Sequence, residues 1–272
     1  MHHWIFHLAI LTLLAFGIAA SPNAVGDCDD ESCWLATTSN LSGDWWGLRP
    51  CLAETGITFQ ADNTSFYFGN TAGGVNQDLD FSGHGDYTML FDCGKLGIQE
   101  GLFLKVKAEH RYGENIGDDV GSFFSPTMAA VLPVADSERL YITNFLLTQM
   151  LSETLGVFAG KMDTLNGDMN AFAHGRGKTQ FSNLGFVFNP ITAATVPYST
   201  LGAGCFLLQD GEQFASLSIM NSQDTTGTSG FGELFEDGVL IAACVRVPTR
   251  FLDRPGHHLL GGTWNNRKSP PP

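Results

Sequence analysis

Four charged residues stand two apart in the stretch GLFLKVKAEHRY, residues 101–112: Lys105, Lys107, Glu109 and Arg111. A second group, Lys161, Asp163, Asp168 and Arg176, with Lys178 close behind, lies in TLGVFAGKMDTLNGDMNAFAHGRGK, residues 154–178. Both groups mix cationic donors with carboxylate acceptors, which is the chemistry of holding water and polar solutes through charge-assisted hydrogen bonds. The alternative is that they are solvated rim and loop charges, the default place for such side chains. Catalysis finds less support. No serine, histidine and acid fall into a recognisable arrangement, and no carboxylate pair can be placed at glycosidase separation. DTLNGDMN, residues 163–170, lacks the spacing and the distant glutamate of a calcium loop. HGRGK, residues 174–178, lacks P-loop spacing. His257 and His258 are adjacent, so a strand would turn them to opposite faces and deny them a shared metal. No cofactor is implied.

The elements that position the first group follow from its period of two. Phe103 and the four charges share one parity; Leu102, Leu104, Val106, Ala108, His110 and Tyr112 share the other. Two accounts fit a strand of this kind. One is a half-buried strand of a soluble sandwich with its polar face in water. The other is a strand of a transmembrane barrel, its apolar face in lipid and its charged face in a wet lumen. Val239–Val247 repeats the pattern, with Val239, Ile241, Ala243, Val245 and Val247 opposite Ala242, Cys244 and Arg246.

Candidate strands continue along the chain at 57–68, 86–92, 101–112, 139–149, 154–162, 181–188, 201–209, 213–221, 238–247 and 257–264, about ten in all. Asp210-Gly211 predicts a tight hairpin. Residues 222–238, SQDTTGTSGFGELFEDG, read as a long surface loop. Leu151–Glu153 joins its neighbours as a short link. Phe66, Tyr67 and Phe68 suggest an aromatic girdle. Trp45 and Trp46 suit a membrane interface, an anchor for the segment before the first strand, or stacking on a ring.

Composition narrows the classes. The chain of 272 residues carries only 15% charged residues but 32 glycines and 21 phenylalanines, which suits many short strands and turns. A net charge of −14 argues against a nucleic-acid partner. Residues 1–20 read as a secretory signal peptide cut near Ala19–Ala24, although the first residues hold histidines in place of Lys or Arg; an uncleaved anchor is the alternative. Export permits disulfides, and a local Cys28–Cys33 bridge is plausible, while Cys51, Cys93, Cys205 and Cys244 cannot be paired from sequence. No later stretch is long enough for a membrane helix, so any crossing of a bilayer must use a closed barrel.

Three stretches carry a resemblance. They are LSGDWWGLRPCLAETGITFQAD at 41–62, residues 147–204, which include GKMDTLNGDMNAFAHGRGKTQF, and VPTRFLDRPGHHLLGGTW at 247–264. Together they resemble the carbohydrate-selective porin family of the OprB type, in the family's order. The resemblance implies an all-β fold, an antiparallel transmembrane β-barrel of the porin type, present here only in part: about ten of about sixteen strands. It implies passive diffusion of sugars through a polar lumen in the bacterial outer membrane, with outer-membrane lipid as partner and a homo-oligomer left open. It also implies that the loop bearing Asp163, Asp168 and Arg176 folds towards the pore. Four regions follow: signal peptide 1–20, an N-terminal periplasmic segment 21–56, an incomplete barrel 57–264, and a Pro-rich tail 265–272. The family pattern would continue past Trp264 through further strands to an aromatic-ended closing strand. The rival reading is a soluble periplasmic carbohydrate-binding β-sandwich.

Overall fold

The computed structural model describes residues 40–134, 138–167, 175–187, 189, 192 and 195–267. The signal segment, Cys28, Cys33, Asp168 and the final prolines lie outside them. The chain divides into two compact units, 1–55 and 56–272. The described part of the first unit ends in helix α1 (Leu48–Thr55). Pro50 is accommodated in its first turn, where a backbone N–H has no helical partner to lose. Trp45 and Trp46 precede α1 with φ of 57° and 56°, and Arg49 lies over the Trp45 ring at 4.7 Å.

The second unit is one nine-stranded sheet in which every strand pairs antiparallel with its chain neighbour. The strands are β1 (Ile57–Gly69), β2 (Leu79–Asp92), β3 (Leu102–Gly113), β4 (Tyr141–Met150), β5 (Leu155–Asp163), β6 (Ser199–Gln209), β7 (Glu212–Asn221), β8 (Val239–Phe251) and β9 (Arg254–Asn265). Connections alternate in length. At one end lie 93–101, 151–154, 210–211 and 252–253; at the other lie 70–78, 114–140, 164–198 and 222–238. Short turns at one end and long loops at the other are the porin pattern. Asp210 (φ 54°) and Gly211 (φ 80°) form the expected hairpin turn with both central residues left-handed.

Nine of the ten candidate strands form. The tenth, at 181–188, does not. Its described residues instead contain helix α4 (Leu184–Val187) inside the long 164–198 loop. The physical reason is local apolar burial. Leu184 and Val187 pack with Met128, Leu132, Tyr198 and Leu165 into a small core made by the long loops, so an apolar run too short for periodicity to diagnose is helical. The 114–140 loop holds two more short helices, α2 (Ile116–Val120) and α3 (Met128–Val131). Met128 N–H donates to the Ser182 carbonyl at 2.8 Å and Leu184 N–H to the Ser125 carbonyl at 3.0 Å, tying the two long loops together.

The sheet has chemically distinct faces. Cross-strand register aligns Ala159, Ala203, Ile219, Ile241 and Trp264 in one row, and Leu155, Leu207, Ala215, Val245 and Leu260 in another. Within these rows Ile219, Leu207, Leu260 and Trp264 are 45–60% exposed. Contiguous exposed apolar rows of this extent mark a surface for membrane or protein contact, and no second sheet covers them among the described residues. On the opposite face Met162, Met220 and Leu240 are buried together, and Ser216, Ser218 and Cys244 continue that face, Cys244 on the polar side as its parity implies. Among the described residues Cys51, Cys93 and Cys205 form no disulfide with one another. Among the described residues no helix is long and apolar enough to cross a membrane.

Only Tyr67 of the Phe66–Phe68 trio lies on the apolar outer face. Phe66 and Phe68 pair with Ser82 and Asp80 on the other, because three consecutive residues of a strand cannot share a side. The outer aromatic row is instead Phe81, Tyr112, His110 and Tyr87, with successive ring centroids 6.0, 5.6 and 5.7 Å apart. Gly83 makes room for it: a Cβ there would stand 2.1 Å from the Tyr112 ring.

Candidate functional site: a buried ionic brace between wall and loop

Pairing of β2 with β3 sets Asp86 opposite Glu109 and Thr88 opposite Lys107, all on the face opposite the apolar rows. Two neighbouring carboxylates repel, so this register needs cations. Lys107 Nζ supplies one, 2.9 Å from Asp86 Oδ1, 2.8 Å from Glu109 Oε1 and 3.2 Å from Asp163 Oδ2. The loop between β5 and β6 supplies two more. Arg176 Nη1 reaches Glu109 Oε1 at 3.0 Å, and Nη2 pairs with Asp163 Oδ2. Lys178 Nζ pairs with Asp86 and lies 2.7 Å from Asp62 Oδ1 on β1. Three interior acids (Asp86, Glu109, Asp163) therefore face three cations (Lys107, Arg176, Lys178).

Glu109 is fully buried. Besides its two cations, it accepts from the Tyr198 hydroxyl, 2.8 and 2.7 Å from its two oxygens, and from the Thr143 hydroxyl. Tyr198 in turn accepts from Arg176 Nη2 at 2.9 Å. Thr143 reaches this point because the β3–β4 register shifts at Lys107/Ala108, a bulge that turns both Thr143 and Asn144 inward. Taking a charge out of water costs several kcal/mol per ion even after relaxation. Only a fully paired set offsets that cost, and here nearly every carboxylate oxygen has a donor. His84 extends the network. Its Nδ1 carries a hydrogen, since it faces two carbonyl acceptors, Ala129 at 3.1 Å and Leu132 at 2.8 Å. Its Nε2 lies 3.4 Å from both Asp86 and Glu109. The same ring thus pins the 114–140 loop to the wall.

Of the sequence candidates, Lys107, Glu109, Asp163 and Arg176 come together here. Lys105 lies two residues along the same face, half-buried, its ammonium without a hydrogen bond or ion pair among the described residues. Arg111 turns to the 114–140 loop and donates to the Val131 carbonyl at 3.2 Å. Lys161 leaves the cluster: its ammonium donates to the carbonyls of Thr225, Thr226 and Thr228 at 2.8, 3.2 and 2.6 Å, holding the 222–238 loop. Asp168 lies outside the described residues. Asp62, His84, Asp86, Thr143 and Tyr198 escaped the sequence reading. Two of them had a readable signal: Asp80, Ser82, His84, Asp86 and Thr88 alternate with Phe81, Tyr87 and Met89 in LDFSGHGDYTMLFD.

Ligand atoms of His84, Asp86 and Glu109 lie within 4.8 Å of one another, a set of metal-binding type. A metal does not fit them, because the Lys107 ammonium and Arg176 guanidinium already occupy the cation positions on these carboxylates. The arrangement spends the hydroxyls of Thr143 and Tyr198 as donors to Glu109. It offers fixed charges of both signs on a wall, with a loop clamped against them.

A single antiparallel meander, apolar outside and charged inside, with long inward-folded loops at one end, defines the wall of a porin-type β-barrel. The model of the carbohydrate-selective porin, OprB family, matches residues 76–272, and the chain belongs to that family. The high-pH structure of Pseudomonas putida OprB is similar, with a TM-score of 0.70 at 20% identity over 85% of this chain and 57% of that one. The low-pH structure of the same porin matches with a TM-score of 0.48 and 15% identity over 83% of this chain and 60% of that one. The chain thus spans 57–60% of the length of that porin in these two structures. None of the curated proteins matches it.

Proposed function

We propose that this chain forms the wall and the constriction of an outer-membrane pore through which sugars diffuse passively. The observation that carries the reading is the ionic brace, in which Arg176 and Lys178, from the longest loop, are held against Asp62, Asp86, Glu109 and Asp163. A loop clamped this way narrows a lumen to small solutes. Charges of both signs at a constriction orient water and solute hydroxyls. In this reading Lys107, Glu109, Asp163 and Arg176 shape the passage, while the uncommitted ammonium of Lys105 and the guanidinium of Arg111 meet the solute. Lys161 acts at a distance through the 222–238 loop. Membrane lipid covers the apolar rows.

β1 and β9 are the two edges of the sheet, and hydrocarbon cannot satisfy an open ladder edge. Antiparallel alternation over nine strands makes β1 and β9 run in the same direction. Antiparallel closure therefore takes an odd number of further strands between them, whatever supplies these. The experiment is reconstitution of the full chain in liposomes. Glucose-dependent swelling, together with recovery in the outer-membrane fraction, is the expected result. Recovery in the soluble periplasm without detergent would overturn the reading.

A further inference from the structure

A cavity of about 600 Å³ opens at the long-loop end of β2 and β3, between the wall and the 114–140 loop. Six of its lining residues are acids: Asp78, Asp80, Glu114, Asp118, Asp119 and Glu138. The cation on its lining is Arg111, which donates to the Val131 carbonyl. Three of the acids are engaged. Asp78 accepts from Leu79 N–H at 2.7 Å, Asp119 from Asn76 Nδ2 at 3.0 Å, and Glu138 from Gly113 N–H at 3.1 Å. The carboxylates of Asp80, Glu114 and Asp118 have no hydrogen bond or ion pair among the described residues. Asp80 decides the matter. It is only 7% exposed, it lines the cavity, and no cation among the described residues pairs with its carboxylate. The buried acids of the brace below it each have a cation; this one does not.

We propose that this cavity binds a solute carrying a protonated amine, of amino-sugar size, before it enters the constriction. The proposal rests on the sugar-pore reading and names a solute class for it. Size and spacing favour an organic cation over a bare metal ion. The volume falls in the range of small-molecule sites and far exceeds the share of one hydrated ion. Among the described residues, His84, Asp86 and Glu109 are the set whose ligand atoms converge within 4.8 Å, so the cavity acids are not gathered into a chelate. Spread carboxylates suit one ammonium with hydroxyls around it. Asn115, also on the lining, spends its Oδ1 on Gly117 N–H and Ser125 Oγ, each at 3.1 Å, which turns its amide N–H groups to the task of donating to a hydroxyl.

The test uses the purified full chain in detergent at pH 6 and constant ionic strength, with binding measured calorimetrically for glucosamine, glucose and N-acetylglucosamine. Glucosamine should bind about tenfold more tightly than its two neutral analogues, and Asp80→Asn or Glu114→Gln should each remove about that factor. Because both variants relieve repulsion, neither is expected to unfold the chain. Equal affinity for the three sugars, or unchanged glucosamine binding in Asp80→Asn, overturns the proposal. So does stoichiometric calcium binding that excludes glucosamine, which would make the cavity a divalent-ion site. Liposome swelling by glucose with the wild-type chain separates the two claims. Flux without amine preference sinks only this proposal, and amine preference without flux sinks only the pore.

Discussion

Arg176 Nη1 and Glu109 Oε1 lie 3.0 Å apart although 67 residues separate them in the chain. One belongs to a long loop and the other to a strand of the wall. Their contact, with Asp163 and Tyr198 completing it, turns a loop that could lie over the rim into a fixed inward surface. Charge pairing at this point is therefore a structural device, and in the proposed pore it also sets what the passage admits.

Replacing Glu109 by Gln should leave Lys107 and Arg176 with too little negative charge in a site closed to water. The expected loss is about 3–5 kcal/mol of stability, the cost of orphaning one partner of a buried ionic set. Denaturant titration of the detergent-solubilised protein reads it. The double variant Glu109→Gln/Arg176→Gln should lose less than the two single losses combined, because the second change removes the orphan. Strict additivity would show that the two residues do not act as a pair.

Arg176→Ala with Lys178→Ala should release the 164–198 loop from the wall. Single-channel conductance should rise, and disaccharides excluded by the parent should swell liposomes. An unchanged size limit would place the narrowest point elsewhere.

Lys105→Gln removes an ammonium that makes no hydrogen bond or ion pair among the described residues. Reversal potentials in a salt gradient should shift towards cation preference, with little change in stability. Lys161→Met should act differently. It strips a donor from the carbonyls of Thr225, Thr226 and Thr228, at a cost of about 1–3 kcal/mol for buried polar groups left unpaired. Limited proteolysis within 222–238 should accelerate while charge selectivity stays as it was.

Ile219→Arg places a cation among the outer apolar rows and should cost about 2–4 kcal/mol if those rows meet the middle of a bilayer. Ser216→Arg, three residues earlier and on the inner face, should cost about 1 kcal/mol or less. Equal effects in refolding into lipid would contradict the assignment of faces.

Much of this architecture was legible because strand chemistry is local. Lys105, Lys107, Glu109 and Arg111 declared one face of β3, and Val239–Val247 declared the outer face of β8, by alternation alone. His84 was missed since the reading began β2 at residue 86, although the alternation starts at Leu79, and Asp86 was passed over as the first residue of that strand. Thr143 could not have been found, for its inward turn depends on a bulge, a mismatch between two strands. The apolar segment at 181–188 suggested a strand because a short apolar run satisfies either conformation.

What the residue order determined by itself was the alternation of faces and the kinship carried by its motifs, since a side chain's direction on a strand depends only on its neighbours. What tertiary structure alone decided was the partnering of charges. Lys161 and Asp163 lie two residues apart on β5, yet the first holds loop carbonyls and the second joins the brace. That outcome depends on how three long loops settle against the wall, where the desolvation of each ion must be offset by partners brought from distant parts of the chain.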